Sequence, residues 1–416
     1  MKATILCIGD ELLIGQTLNT NAQWISREMN EIGVDVIHHV SLSDERTDIV
    51  QSLEQALSVS SVVLITGGLG PTSDDITKDV LNDYFGAQLV YNEAAFQNIA
   101  SIYKLRNREI TEEAKTMAWV PDNCTVIQNA LGTAPGMLFR KGDKVIVSMP
   151  GVPYEMKAMI TDAVIPYLHQ HFTLPVILHR NILTAGVGET VLAERLRDFE
   201  ASKDARVKLA YLPNVGKVRL RLTVKGDDRH VLEKLIIDAE TVVVNAIQEF
   251  IFGFEGDTLE QKVGEMLLEK RWTLGTAESC TGGYIAHLIT SVSGSSNYFN
   301  GSIVSYSNDV KKAVLGVKET TLTAHGAVSE QTVQEMINGA LEVLKTDVVI
   351  AVSGVAGPTG GTVEKPVGTV YIGVGSKEKT IVKRLSFTNN RERNIQLTGV
   401  VSLVMLRKFL LNQLKP

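Results

Sequence analysis

Ala277-Glu278-Ser279-Cys280-Thr281-Gly282-Gly283 is the stretch whose reading decides the fold of the last third of this chain. The apolar segment before it, Trp272 to Thr276, reads as a buried strand, and Tyr284 to Ser291 after it reads as the first turns of a helix. A hydroxyl- and glycine-rich turn between strand and helix points backbone N–H groups at an anion and holds a serine within reach of a substrate. Two segments repeat the theme downstream: Tyr306-Ser307-Asn308 with Lys311, and Ser353-Gly354-Val355-Ala356-Gly357-Pro358. Strands fit Thr273 to Thr276, Gly301 to Tyr306, Val348 to Ser353, Gly368 to Val374 and Thr380 to Phe387, with a closing helix from Glu392 to Leu411.

Hydrolysis of an unactivated amide needs a nucleophile, a receptor for the oxyanion and a proton for the departing nitrogen. Ser279 is the candidate nucleophile and Lys311, desolvated in a small pocket, its base. Tyr306 is placed to relay a proton or hold the lysine, and the amides from Cys280 to Gly283 are candidate anion donors. Ser353, Gly354, Ala356 and Gly357 form a second anion cradle, and Thr359 to Thr362 a flap. Plainer readings stand beside these: Ser279 as a helix N-cap, Cys280 as a rival nucleophile or a buried packer, Lys311 as one of two solvated lysines with Lys312, Tyr306 as a core tyrosine. Arg391 and Arg393 read as solvated caps of the last helix or as phosphate holders. No histidine pair has ligand spacing, so this part is expected to need no metal.

The first part of the chain alternates strands (Thr4 to Ile8, Val34 to Leu42, Ser61 to Thr66) with helices (Asn19 to Ile32, Asp48 to Leu57, Asp75 to Phe85), which implies a parallel sheet covered on both faces. A later helix from Tyr154 to His169 is interrupted near Pro166. Two glycine-centred turns fall where such a sheet binds ligands: Gly9-Asp10-Glu11-Leu12-Leu13-Ile14-Gly15, and Thr66-Gly67-Gly68-Leu69-Gly70-Pro71-Thr72-Ser73-Asp74-Asp75-Ile76-Thr77. Gly67, Gly68, Gly70 and Thr72 suit phosphate, and Asp10, Asp74 and Asp75 are candidate ligands of a divalent cation bridging phosphates. Asn129 to Gly136 and Met149 to Glu155 add two small-residue loops. Between the two parts, about Pro175 to Phe252, lies a mixed α+β segment whose helices fit Glu189 to Phe199 and Asp227 to Ile247. Its strand Val218 to Val224 alternates Arg219, Arg221 and Thr223 against Leu220, Leu222 and Val224, as in a sheet with one wet face.

At 416 residues, 44% hydrophobic and 21% charged, the chain has room for two or three domains. The expected class is α/β: two doubly wound α/β domains, 1–172 and 255–416, joined by a small α+β connector at 173–254. A net charge of −6 gives no reason to expect nucleic acid as a partner. Three scattered cysteines, no signal peptide and no membrane-spanning apolar run fit a cytoplasmic protein. Enzymes of this type commonly form symmetric homodimers.

GGLGPTSDDIT, at 67–77, resembles the GGTG-x4-D-x-T loop of the molybdopterin-binding fold (MoaB/MogA-like), and the set GDELLIG, GGLGPTSDD and PGVPYEM resembles the competence/damage-inducible protein A (CinA) family. AESCTGG, YSN-x2-K and SG-x-AGP are similar to the nicotinamide-nucleotide amidase (PncC-like) domain of that family, so the resemblance spans the chain. For the first domain it implies a metal-dependent pyrophosphatase of ADP-ribose-like nucleotides. Asp10, Glu11, Gly67, Gly68, Gly70, Thr72, Asp74, Asp75 and Glu155 fall on the motif positions. For the last domain it implies conversion of nicotinamide mononucleotide to nicotinate mononucleotide and ammonia, with Ser279, Tyr306 and Lys311 catalytic. Thr281, Gly282, Asn308, Ser353, Gly354 and Gly357 would line the pocket. Pyridine nucleotides and ADP-ribose are the expected ligands. A nucleotide-sensing adaptor in competence or DNA damage, and a molybdopterin-handling protein, are the alternatives.

Overall fold

The computed structural model describes residues 1–414, so the last two residues of the expected 255–416 domain lie outside the described residues. The chain divides into two units, 1–178 with 225–232, and 179–224 with the residues from 233 onward.

The strands of the first unit are β1 (Lys2–Ile8), β2 (Asp35–Leu42), β3 (Val62–Thr66), β4 (Leu89–Tyr91), β5 (Trp119–Pro121), β6 (Thr125–Ile127), β7 (Gly136–Lys141) and β8 (Lys144–Met149). The main sheet runs β2-β1-β3-β8-β7-β6, parallel through its first four strands and antiparallel at β7 and β6, while β4 and β5 pair separately. Period-two alternation explains the burial of β1 on both faces. Leu6 and Ile8 pack with Val63, Ile65 and the helices Arg46–Val59 and Thr77–Tyr84; Ala3, Ile5 and Cys7 pack with Val62, Leu64 and the helix Thr20–Glu31. Because β1 has β2 on one side and β3 on the other, with the connecting helices on opposite faces, a crevice opens at the carboxyl ends of β1 and β3.

Two helices of the first unit differ from the sequence expectation for local reasons. The third begins at Thr77 rather than Asp75, because the Asp75 carboxylate turns back onto Thr72 and the Thr77 amide bonds the Gly68 carbonyl at 3.0 Å. The helix expected from Tyr154 to His169 consists of Pro153–Met159, a wide i→i+5 turn over Ile160–Val164, and Ile165–His171. Pro166 has no N–H to give the preceding turn and its ring crowds the carbonyl one turn back, so the helix widens just before it.

The second unit carries β9 (Val176–Ala185, which begins in the first unit), β10 (Val207–Asn214), β11 (Lys217–Gly226) and β12 (Ile251–Phe254) in the order β10-β11-β9-β12. Leu220, Leu222 and Val224 are buried and Arg219 and Arg221 exposed, as the alternation requires. The helix expected over 189–199 is two short ones, Glu189–Arg195 and Arg197–Ser202.

Its larger sheet, β13 (Leu274–Glu278), β14 (Phe299–Val304), β15 (Val348–Gly354), β16 (Thr369–Gly375) and β17 (Thr380–Ser386), runs β14-β13-β15-β16-β17. The first three are parallel, and β16 and β17 complete the sheet as an antiparallel hairpin. Leu259–Lys270, Tyr284–Thr290 and Arg391–Leu410 cover one face, and Asn308–Leu315, Glu319–His325 and Glu330–Leu344 the other. The parallel register sets Glu278 opposite both Val304 and Val352, so the chain leaves β13, β14 and β15 side by side. That register brings three motifs far apart in sequence to one sheet edge. No helix among the described residues is long and apolar enough to cross a membrane.

Candidate functional site

Ser279 is the first residue beyond β13, held there by its amide on the Val352 carbonyl at 3.1 Å. Lys311 lies on the helix Asn308–Leu315, whose N-cap Ser307 accepts from the Val310 amide. The lysine is only 1% exposed. Its Nζ lies 3.0 Å from the Ser279 Oγ, 2.6 Å from the Ser305 carbonyl oxygen and 3.4 Å from that of Tyr306. A neutral amine has two hydrogens and one lone pair. Two carbonyls take the hydrogens, which leaves the lone pair for the serine hydroxyl. Burial depresses the Lys311 pKa below its ordinary 10.5 and so favours that neutral form.

Lys312, its neighbour, is the solvated lysine. It pairs with Asp309 at 3.2 Å and Glu319 at 2.7 Å on the surface. The helix of Lys311 approaches the helix Glu330–Leu344 closely because Gly339 on the latter leaves room for the Leu315 carbonyl. Cys280 is buried, and burial, with the Glu278 carboxylate adding to it, pushes its thiol up to about 12. A thiol of that kind stays protonated at neutral pH.

Glu278 ends β13 fully buried. Its Oε2 accepts from the Thr281 hydroxyl at 2.7 Å and from the Gly283 and Ile285 amides at 3.0 Å each; its Oε1 accepts from the Ala286 amide at 2.8 Å. A carboxylate here answers the positive end and the orphan amides of the helix Tyr284–Thr290. The Thr281 side chain and the Gly283 amide, both expected to face a ligand, are therefore committed to Glu278. The Gly282 amide bonds the Ser279 carbonyl at 3.1 Å. Within the turn, only the amides of Cys280 and Thr281 make no hydrogen bond to another residue among the described residues, the Cys280 amide facing its own sulfur. Glu278 was passed over in the sequence reading. Its signal was a carboxylate closing an apolar strand a few residues before a helix.

Tyr306 is exposed, not a core tyrosine, and its hydroxyl accepts from the Arg391 Nη2 at 3.1 Å. Its hold on Lys311 runs through its backbone carbonyl. Arg391 also donates through Nη1 to the Gly357 carbonyl at 2.9 Å, linking the loops after β14 and β15. Ser353 is buried, with its hydroxyl donated to the Ala327 carbonyl at 2.7 Å, and Gly354 pairs with Val370 inside the sheet. The Ala356 carbonyl accepts from Asn394 at 2.9 Å, Gly357 has φ +92°, and Asn308 is exposed at the start of its helix.

In the first unit the expected loops meet at the crevice. Gly67 and Gly68 have φ of +104° and +65°, and a Cβ on Gly67 would lie 2.2 Å from the Ile8 carbonyl oxygen, so the turn requires glycine. Asp75 Oδ2 accepts from the Thr72 amide at 3.0 Å and its hydroxyl at 2.5 Å, and Gly70 lies against the same carboxylate. Thr72 thus shapes the loop rather than offering its hydroxyl outward, and a hydrogen bond from it also holds Asp74 below the usual carboxylate range. Asp44, beyond the end of β2, accepts from the Asp10 amide at 3.1 Å. Its carboxyl is pushed up chiefly by burial, with Asp10, Glu11 and Asp74 adding their charge. Asp44 was missed in the sequence reading, although its place at a strand's carboxyl end marked it. Glu155 is buried, accepts from Asn129 Nδ2 at 2.7 Å, and packs against Gly132. Among the described residues no three His, Cys, Asp or Glu side chains gather closely enough to hold a metal by themselves, and Asp10, Asp74 and Asp75 form no such set.

Residues 4–170 match the family described as "Probable molybdopterin binding domain", 179–253 the "Damage-inducible protein CinA KH domain", and 256–410 the "CinA C-terminal domain". A CinA-like protein of Cytophaga hutchinsonii is 44% identical over 406 residues, covering 98% of this chain and 97% of its own. A CinA-like protein of Flavobacterium psychrophilum is 44% identical over 413 residues, covering 99% of each. A crystal structure of the competence damage-inducible protein A (ComA) of Klebsiella pneumoniae aligns with TM-score 0.37 and 36% identity, over 38% of this chain and 97% of that one. The chain belongs to the CinA family.

Proposed function

We propose that this chain is a nicotinamide-nucleotide amidase, releasing ammonia from nicotinamide mononucleotide to leave nicotinate mononucleotide, and that its first unit is a metal-dependent pyrophosphatase of ADP-ribose-type nucleotides. The observation that carries the amidase reading is the buried Lys311 Nζ at 3.0 Å from the Ser279 Oγ, with two carbonyls on its other side. As the Ser279 oxygen bonds the carboxamide carbon, its proton passes to Nζ. The oxyanion so formed is received by the free amides of Cys280 and Thr281. The ammonium of Lys311 returns the proton to the departing nitrogen, the C–N bond breaks, and ammonia leaves a nucleotide ester on Ser279. Water, deprotonated by the same amine, then cleaves the ester. Gly357, on the loop after β15, and Arg391, at the start of the last helix and bonded to the Gly357 carbonyl and the Tyr306 hydroxyl, would border the nucleotide phosphate.

The pyrophosphatase reading rests on the glycine loop at the crevice and on hard oxygen donors from Asp10, Glu11, Asp44 and Asp74 beside it. Such donors fit magnesium-like cations, which take one or two carboxylates together with substrate phosphates. A cation bound there supplies charge neutralisation at the bridging phosphates. Thr72 and Asp75 keep the loop in shape. The family match over 4–170 favours a second reading, a molybdopterin ligand, which pterin fluorescence of the purified protein after oxidation would reveal.

The test is ammonia release from nicotinamide mononucleotide in excess chelator. Wild type is expected to turn over and Ser279→Ala to fall to background. A wild type that releases no ammonia overturns the amidase reading.

A further inference from the structure

Glu278 takes no part in these proton transfers, yet a charged side chain is rarely buried completely without a purpose. Its bonds to the Gly283, Ile285 and Ala286 amides use up the start of the helix after the nucleophile, so that helix end is closed to a ligand. Its bond from the Thr281 hydroxyl reaches back into the turn itself. The Thr276 and Ser302 hydroxyls, both at 3.4 Å from Oε1, flank it from its own strand and from the neighbouring β14. The carboxylate thereby decides which amides of 279–286 remain free.

We propose that Glu278 is the positioning residue of the nucleophile turn, a statement that rests on the amidase function above. Its carboxylate fixes Thr281 and the helix start so that the Cys280 and Thr281 amides stay open as the oxyanion receptor while Ser279 stays on Lys311. Thr281 then serves the reaction through its amide, and its hydroxyl serves Glu278 rather than the nucleotide.

The experiment compares full-length Glu278→Gln, Thr281→Val and Thr281→Ser with wild type, reading kcat and KM for nicotinamide mononucleotide and amide exchange over 279–286. Glutamine puts an NH2 group or a single oxygen where both carboxylate oxygens accept, and valine removes the Thr281 hydroxyl. Both changes are expected to lower kcat on the order of 100-fold with KM within about twofold, as for a reacting group displaced by a fraction of an ångström. Thr281→Ser, which keeps the hydroxyl, is expected within about threefold of wild type in both constants. Amides of the segment should exchange at least about tenfold faster in the first two variants. A raised KM at unchanged kcat in Thr281→Val would make its hydroxyl a ligand contact and overturn the proposal; so would unchanged kcat and exchange. If Glu278→Gln does not fold, Thr281→Val decides. If wild type makes no ammonia, the function fails by itself, and unchanged exchange in Thr281→Val still overturns the role of Glu278, while faster exchange upholds its hold on the turn.

Discussion

Gly339→Ala sets two physical effects against each other far from the reacting atoms. Gly339 is inside the helix Glu330–Leu344, where alanine is preferred by about 1 kcal/mol. The Cβ, however, would lie 1.9 Å from the Leu315 carbonyl oxygen and 2.6 Å from its carbon, both backbone atoms. Real contacts of this kind do not fall under 3.0 Å, so the two helices must part by about 1 Å. Overpacking of that size costs about 1–3 kcal/mol, which offsets the propensity gain of about 1 kcal/mol and leaves the variant up to about 2 kcal/mol less stable. For a unit of this size that is a fall in Tm of up to about 8 °C. Leu315 closes the helix that carries Lys311 one turn earlier. A displacement of about 1 Å would stretch the 3.0 Å contact between Lys311 and Ser279 beyond hydrogen-bond reach, lowering kcat about 100-fold. Ammonia release and a thermal melt on the same preparation read both effects. Gly256→Ala, with nothing within 4 Å of its added methyl, is the unaffected control. A Gly339→Ala protein with wild-type or raised Tm and unchanged kcat would refute the claim that this close approach seats the lysine.

The remaining predictions concern the site directly. Because the base must be neutral and burial depresses the Lys311 pKa, amidase activity should rise tenfold per pH unit on the acid side and level off before pH 10.5. The native amine holds its proton less tightly than the unfolded one, so stability also rises with pH, from that depressed value up to 10.5, and Lys311→Met should remove both limbs while lowering kcat on the order of 1000-fold. Cys280→Ala should keep kcat within about threefold at a stability cost of about 1 kcal/mol, since a thiol pushed up to about 12 is no nucleophile; loss of ammonia release in a folded Cys280→Ala protein would contradict this. Chelator should abolish hydrolysis of ADP-ribose and leave ammonia release intact, and sensitivity of both activities would contradict the separation of the two chemistries.

Much of the fold was legible because period-two and helical patterns are local: the alternation in β11 and the strand-turn-helix at 277–283 both appear in the structure. What a window of sequence could not carry was the fate of polar groups. Thr281 and Thr72 look like ligand donors because a hydroxyl in a glycine-rich turn usually has no neighbour, but here Glu278 and Asp75 lie within reach. The difference between Lys311 and Lys312 was likewise invisible, since helical rotation sends one inward and the other to Asp309 and Glu319. Gly339 gave no signal, because the carbonyl it admits belongs to a helix more than twenty residues away.

The most direct measurement is a rapid-quench digest. The protein is mixed with nicotinamide mononucleotide at the pH of maximal rate, stopped in acid within milliseconds, and the peptide spanning 279 and 280 is sequenced by mass. The expected product is a nicotinate mononucleotide ester on the Ser279 oxygen that is absent in Ser279→Ala. The same adduct on the Cys280 sulfur, or ammonia released by Ser279→Ala at the wild-type rate, would contradict it.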